Sequence, residues 1–219
     1  MTKKERATAI VEALEREYPQ ALCSLEYVEP YRLLIAVRLA AQCTDARVNK
    51  VTPVLFGRYP TLKALAGADV ADVTEIVRPC GLGNTKARDI VEMCAILITR
   101  HGGVVPDELE QLLELPGVGR KTANLILGDV YGKPAIVCDT HCIRITNLMG
   151  LADSRNPLIV ERQLWAILEP EKSNDFCHRL VLHGRAICKA RSPACPACCV
   201  RDLCVAGKKT EKQKGNPRH

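Results

Sequence analysis

Four cysteines, Cys188, Cys195, Cys198 and Cys204, are separated by six, two and five residues. Thiols strung this closely constrain a fold more than any helix pattern does, because a shared metal centre ties the whole segment around one point. The competing use, a disulfide ladder, belongs to secreted chains. Met1-Thr2-Lys3-Lys4-Glu5-Arg6 carries charges without an apolar h-region behind it, and no run is apolar for long enough to cross a bilayer. The expectation is a soluble cytoplasmic protein, with no membrane partner and with reduced thiols that hold metal. Four thiolates suit zinc or a [4Fe–4S] cluster. Zinc usually takes two CxxC knuckles and this run has one, at Cys195 to Cys198, so spacing leans toward iron–sulfur and leaves zinc open. The ferredoxin spacing is absent, which argues against an electron carrier. Cys199 competes with Cys198 as third ligand, but choosing it would destroy the CxxC chelate. Most of the remaining cysteines read as small reduced core residues.

The net charge of +6 is weaker evidence than it looks. After Cys204 come Lys208, Lys209, Lys212, Lys214 and Arg218 against Glu211 alone, so most of the excess sits in a Gly/Lys/Asn/Pro tail that reads as a solvated end. Two Phe and one Trp are too few for the stacking platforms of single-strand binders, so any nucleic acid partner is expected to be duplex.

Helical periodicity recurs along the chain and period-two alternation is almost absent, so the fold class is all-α. Ala7, Ile10, Val11 and Leu14 form one amphipathic stripe. Pro30 suits a first helical turn, and Leu33-Leu34-Ile35-Ala36-Val37 behind it is apolar all round, as in a helix that runs through a core. Thr44, Thr61 and Asn84 are candidate N-caps, Gly102-Gly103 a helix end, and Asn156-Pro157 a cap plus first turn. No linker or internal repeat divides the chain.

A second motif lies at Leu112 to Leu127, LLELPGVGRKTANLIL. A helix ends, Pro116-Gly117-Val118-Gly119 turns the chain, and a helix restarts with an apolar face. Gly117 and Gly119 permit a tight backbone whose N–H groups point outward beside a helix N-terminus, a sequence-independent cradle for phosphate. The plainer reading is an αα-hairpin with a glycine turn.

The hairpin LPGVGRKTAN, then Val137-Cys138-Asp139-Thr140-His141, then the four-cysteine run, taken in that order, resemble the endonuclease III family of helix-hairpin-helix, iron–sulfur DNA glycosylases. The resemblance spans almost the whole chain. It implies two helical domains, a six-helix barrel over residues 24–133 that carries the helix-hairpin-helix, and a [4Fe–4S] cluster domain from residues 1–23 and 134–219, with a DNA-binding groove between them. It implies a bifunctional DNA glycosylase and AP lyase of base-excision repair, a nucleoid-associated monomer acting on oxidised pyrimidines and abasic sites in double-stranded DNA. The alternative of another class is a non-catalytic, metal-containing DNA-binding module.

The resemblance also implies roles for residues. Lys121 is the nucleophile, and its place in the first turn of a helix beside Arg120 favours the neutral amine that attack requires. Asp139 is the catalytic carboxylate, though an Asp before such a run is also a natural N-cap. Gln42 and Leu82 match the residues that fill the duplex when a nucleotide is flipped out. Leu82, in Gly81-Leu82-Gly83-Asn84, is either an exposed wedge or a plug in the core. Asp45 matches an acidic position near the damaged base, with helix-start charge as the plainer role. His141 occupies a family-like position. Gly117, Gly119 and Arg120 face phosphate, and Lys189 and Arg191 sit on a loop tethered by Cys188 and Cys195, where they present cations with little entropy left to lose.

Overall fold

The computed structural model describes residues 1–208, and every regular element among them is helical. The chain divides into two compact units, Cys23–Gly132 and the discontinuous Met1–Leu22 with Lys133–His219. The basic residues from Lys209 onward lie outside the described residues.

The contiguous unit is organised around α2, Pro30–Ala40. Pro30 opens the helix at a position where its missing N–H costs nothing. Leu33, Leu34, Ile35, Ala36 and Leu39 are completely buried, each large one contributing about 2 kcal/mol of apolar burial. Such a helix has no wet face because it packs against α3 (Asp45–Arg58), α6 (Gly83–His101) and α8 (Arg120–Asp129). The short α4 (Leu62–Ala66) and α5 (Val70–Val77) lie against α6, and α7 (Leu109–Leu113) pairs with α8.

Caps explain most of the boundaries. Thr61 accepts from the Ala64 amide at 3.1 Å, and Asp69 from the Ala71 amide at 2.7 Å. Thr44 precedes α3 without a side-chain cap bond. Asn84 is not a cap. Helix α6 begins two residues earlier than an Asn84 cap would start it, at Gly83, because Leu82 takes a left-handed conformation (φ 53°, ψ 35°) that turns the chain directly into the helix. Gly102, also left-handed, ends it, and the Gly103 amide returns to the Leu97 carbonyl.

In the discontinuous unit, α1 (Lys3–Glu17) starts at Thr2 with a reciprocal capping box to Glu5 and buries Ala7, Ile10, Val11 and Leu14. It packs on α11, Ser173–Ala186. Arg179 of α11 is 5 % exposed. Its Nε donates to the Tyr18 carbonyl at 3.1 Å, and its guanidinium pairs with Glu15 and Asp175. A buried guanidinium is tolerable only with its donors so occupied. Helix α9 (Thr140–Met149) also lies on α11, and α10 (Pro157–Trp165) begins at the Asn156 cap, whose side chain accepts from the Leu158 amide. No described helix is long and apolar enough to cross a membrane.

Candidate active site and thiol centre

The α7–α8 connection is anchored by Leu115 and Val118, both buried, while Gly117, Gly119, Arg120 and Lys121 are exposed. Gly117 has φ 71°. A Cβ there would lie 2.5 Å from Arg38 Cδ and 2.7 Å from Asp89 Oδ2. Arg38 and Asp89 form a paired bridge, with Nε at 2.7 Å and the terminal nitrogen at 2.6 Å from one carboxylate oxygen. The turn therefore rests on a charge pair spanning α2 and α6, and glycine is required for conformation and for space. Gly119 differs on both counts, since its φ is −98° and a Cβ added there would meet nothing within 4 Å. As N-cap of α8 it brings no side-chain acceptor, and the leading N–H groups of a helix have no intrahelical partner.

These environments separate two glycines that look alike in sequence. Gly117→Ala is expected to cost about 3 kcal/mol, the left-handed penalty plus displacement of Arg38, and to lower Tm by roughly 6–12 °C. Gly119→Ala is expected to leave Tm within about 2 °C. Thermal unfolding followed by circular dichroism checks both.

Gln42 and Leu82 are the only non-glycine residues with positive φ among the described residues, at 57° and 53°. Gln42 is exposed, and Leu82 is 55 % exposed, so Leu82 is not a plug in the core. Backbone held in this region costs on the order of 1 kcal/mol and persists only where the surroundings impose it. Asp45, in the first turn of α3, accepts a hydrogen bond from Ser24 Oγ at 2.5 Å.

Asp139 is the N-cap of α9, with Oδ1 accepting from the Cys142 amide at 2.7 Å. The capping role is thus real, and it fixes the carboxylate rigidly while engaging one oxygen. His141, two residues on, packs against Gly184 of α11, where any Cβ would collide with the imidazole Nδ1. Beneath them Cys138, Cys142 and Cys177 are all buried. Hydrogen bonding with Cys138 and Cys177, together with burial, holds the Cys142 thiol well above its ordinary value. These thiols pack as small core groups.

Cys188, Cys195, Cys198 and Cys204 line one cavity of about 120 Å³ with Ile145, Met149 and Ile187. Cys199 does not line it and is exposed. Nitrogens already surround the thiols. Arg144 donates to Cys188 Sγ at 3.6 Å and to the Cys188 carbonyl at 2.6 Å, the Gly207 amide approaches Cys204 Sγ at 3.4 Å, and His183 Nε2 lies 3.5 Å from Cys198 Sγ. His183 Nδ1 in turn meets the Tyr18 hydroxyl at 3.2 Å. Among the described residues no three His, Cys, Asp or Glu side chains gather tightly enough to hold a single metal ion. Lys189 and Arg191 are exposed on the loop between the first two thiols.

Residues 35–170 match the family described as HhH-GPD superfamily base excision DNA repair protein. Endonuclease III from Synechocystis sp. is 43 % identical over 204 residues, covering 93 % of both chains. The chain belongs to the endonuclease III family. The Escherichia coli K12 endonuclease III is 39 % identical over 208 residues, with 95 % of this chain and 99 % of that one covered. A solved structure entitled "Structure of a Trapped Endonuclease III-DNA Covalent Intermediate: Estranged-Adenine Complex" aligns with TM-score 0.89 and 40 % identity over 96 % of this chain and 100 % of that one. A thermostable thymine-DNA glycosylase shares the fold, with TM-score 0.82 at 22 % identity. For this endonuclease III relative, the fold class read from helical periodicity and the family read from the three motifs both hold.

Two features escaped the sequence reading, the Arg38–Asp89 pair and the buried Lys86 described below. Arg38 did leave a signal, since it follows the unbroken apolar run Leu33–Val37 in α2, where a charge demands a partner.

Proposed function

We propose that this base-excision DNA glycosylase is bifunctional, excising oxidised pyrimidines from duplex DNA and cleaving the resulting abasic site by β-elimination through a Schiff base on Lys121. The observation that carries the reading is the placement of Lys121. Its amine is exposed in the first turn of α8, immediately after the uncapped N-terminus at Gly119 and a turn held in place by Arg38 and Asp89. The backbone N–H groups there, with Arg120, suit phosphate and hold the sugar's flanking backbone.

The neutral Lys121 amine attacks C1′ of the everted nucleotide, and the base leaves with the glycosidic electron pair. Ring opening yields an iminium that acidifies the C2′ proton. Loss of that proton expels the 3′ phosphate, and hydrolysis frees Lys121. Asp139 supplies the carboxylate role. With Oδ1 committed to the cap, Oδ2 is the oxygen assigned to stabilise the positive sugar and to relay protons. Gln42 and Leu82 enter the space the nucleotide leaves, Asp45 and His141 contact the lesion strand, and Lys189 and Arg191 grip phosphate.

Cys188, Cys195, Cys198 and Cys204 are the residues that would hold a [4Fe–4S] cluster. A cavity walled by four thiols offers the all-sulfur donor set that such a cluster takes. Bound there, the cluster supplies a structural brace for the loop bearing Lys189 and Arg191.

The test is borohydride reduction during incubation with duplex containing thymine glycol. A covalent protein–DNA adduct and strand cleavage are expected. Excision without trapping would reduce the reading to a simple glycosylase, and duplex binding with no excision would favour a non-catalytic module. Within this scheme Gly119→Ala is expected to weaken duplex binding about tenfold while stability is preserved, because the methyl intrudes where phosphate must approach the α8 amides.

A further inference from the structure

Lys86 is the fourth residue of α6 and is completely buried. Its Nζ donates to three backbone carbonyls, Leu39 at 2.8 Å, Ala41 at 2.7 Å and Cys80 at 2.8 Å. Three acceptors around one nitrogen call for three N–H donors, which only the ammonium supplies. Burial opposes that charge and pushes the Lys86 pKa down, an effect partly countered by Cys80 and Cys43.

The acceptors are not scattered. Leu39 and Ala41 are the end of α2, and the next residue is Gln42, at φ 57°. Cys80 ends the 3₁₀ turn Arg78–Cys80, and two residues on is Leu82, at φ 53°. The last carbonyls of a helix lack intrahelical donors and carry its negative dipole end, so a cation there is favourable on both counts. One ammonium thus satisfies the roots of both left-handed tips. The Cys43 thiol, one residue beyond Gln42, lies near enough to Cys80 to add to the effect of burial in raising the Cys80 thiol, so the same two segments also approach each other there. Nothing in the chemistry assigned to Lys121 or Asp139 uses Lys86.

We propose that Lys86 is a positioning residue that locks Gln42 and Leu82 into one rigid pair, so that both enter the duplex together when the nucleotide leaves the stack. This rests on the reading of Gln42 and Leu82 as insertion residues. The entropy of ordering two loops is met once, at folding, instead of at each encounter with DNA. Lys86 touches neither DNA nor the reacting atoms and acts only through the tips.

A double-mutant cycle tests it. Lys86→Met keeps most of the side-chain length and removes the donors, and it is expected to slow single-turnover excision from thymine-glycol duplex about 100-fold, the cost of misplacing contacts by an ångström. In a Leu82→Ala, Gln42→Ala background the same substitution is expected to cost less than about threefold, because the groups it positions are gone. A merely structural lysine would cost the same in both backgrounds, and that additivity would overturn the proposal. If Lys86→Met does not fold, Lys86→Gln, with two donors retained, enters the same cycle.

A readout independent of chemistry uses 2-aminopurine opposite a non-cleavable abasic analogue. Wild-type binding is expected to raise its fluorescence by unstacking, and Lys86→Met is expected to bind without the rise. An undiminished rise in the variant would overturn the positioning role. A wild-type protein that neither excises nor unstacks would instead overturn the functional reading on which this one rests.

Discussion

Replacing Lys121 with Gln is expected to abolish the borohydride-stable adduct and to lower strand cleavage at an abasic site by at least about 10³-fold, the scale of losing a covalent nucleophile. Gln keeps most of the length and the hydrogen-bonding capacity but cannot form an imine. The fold should be indifferent, because Lys121 is exposed, and such surface substitutions stay within about 0.5 kcal/mol. Tm and affinity for a duplex with a non-cleavable abasic analogue should therefore be preserved. That combination separates a lost nucleophile from a lost binding surface. Trapping that survives in Lys121→Gln would move the nucleophile elsewhere.

The second large effect concerns the thiols. Cys204→Ser is expected to strip iron and visible colour from the protein and to open the segment from Cys188 to Cys204 to proteolysis. The segment has little else to hold it. Its regular elements are two three-residue 3₁₀ turns, Cys195–Ala197 and Arg201–Leu203, and Val200 is its one fully buried apolar side chain. Metal binding at structural thiolate sites contributes on the order of 10 kcal/mol, far more than such turns supply. A fall in Tm of ~10 °C or more should accompany the loss. Cys199→Ser is the matched comparison. Cys199 is exposed and outside the cavity, so iron content should be unchanged. Iron retained in Cys204→Ser, or lost in Cys199→Ser, would overturn the ligand assignment.

What could be read from the chain alone follows from how local the determinants are. The α1 stripe, the apolar Leu33–Val37 body of α2 and the Gly117–Gly119 turn are set by residues within a few positions of one another, and each appears where periodicity and turn chemistry place it. The Asp139 cap is likewise local, with its partner Cys142 three residues away. Leu82 defeated the Asn84 cap because leucine seldom adopts φ 53°, a conformation that propensity does not register. Lys86 was invisible as well. In Gly83-Asn84-Thr85-Lys86 it looks like a surface lysine, and its acceptors at Leu39 and Ala41 lie 47 and 45 residues away. The need for glycine at 117 was legible as a turn, but its second cause, the Arg38–Asp89 pair beneath it, was not.

The discontinuity of the unit that joins Met1–Leu22 to Lys133–His219 bears on how the protein comes into being on the ribosome. Helix α1 is made early, yet the guanidinium that secures it, Arg179, lies 164 residues beyond Glu15. At about 5–20 residues per second, roughly 8–30 s pass before that partner is synthesised. During this interval the stripe of Ala7, Ile10, Val11 and Leu14 has no surface to cover it. The segment Cys23–Gly132, which forms a compact unit of consecutive residues, is free to fold in the meantime. Nascent chains arrested before α11 should accordingly show a protease-resistant middle and an N-terminal helix still open to chaperones.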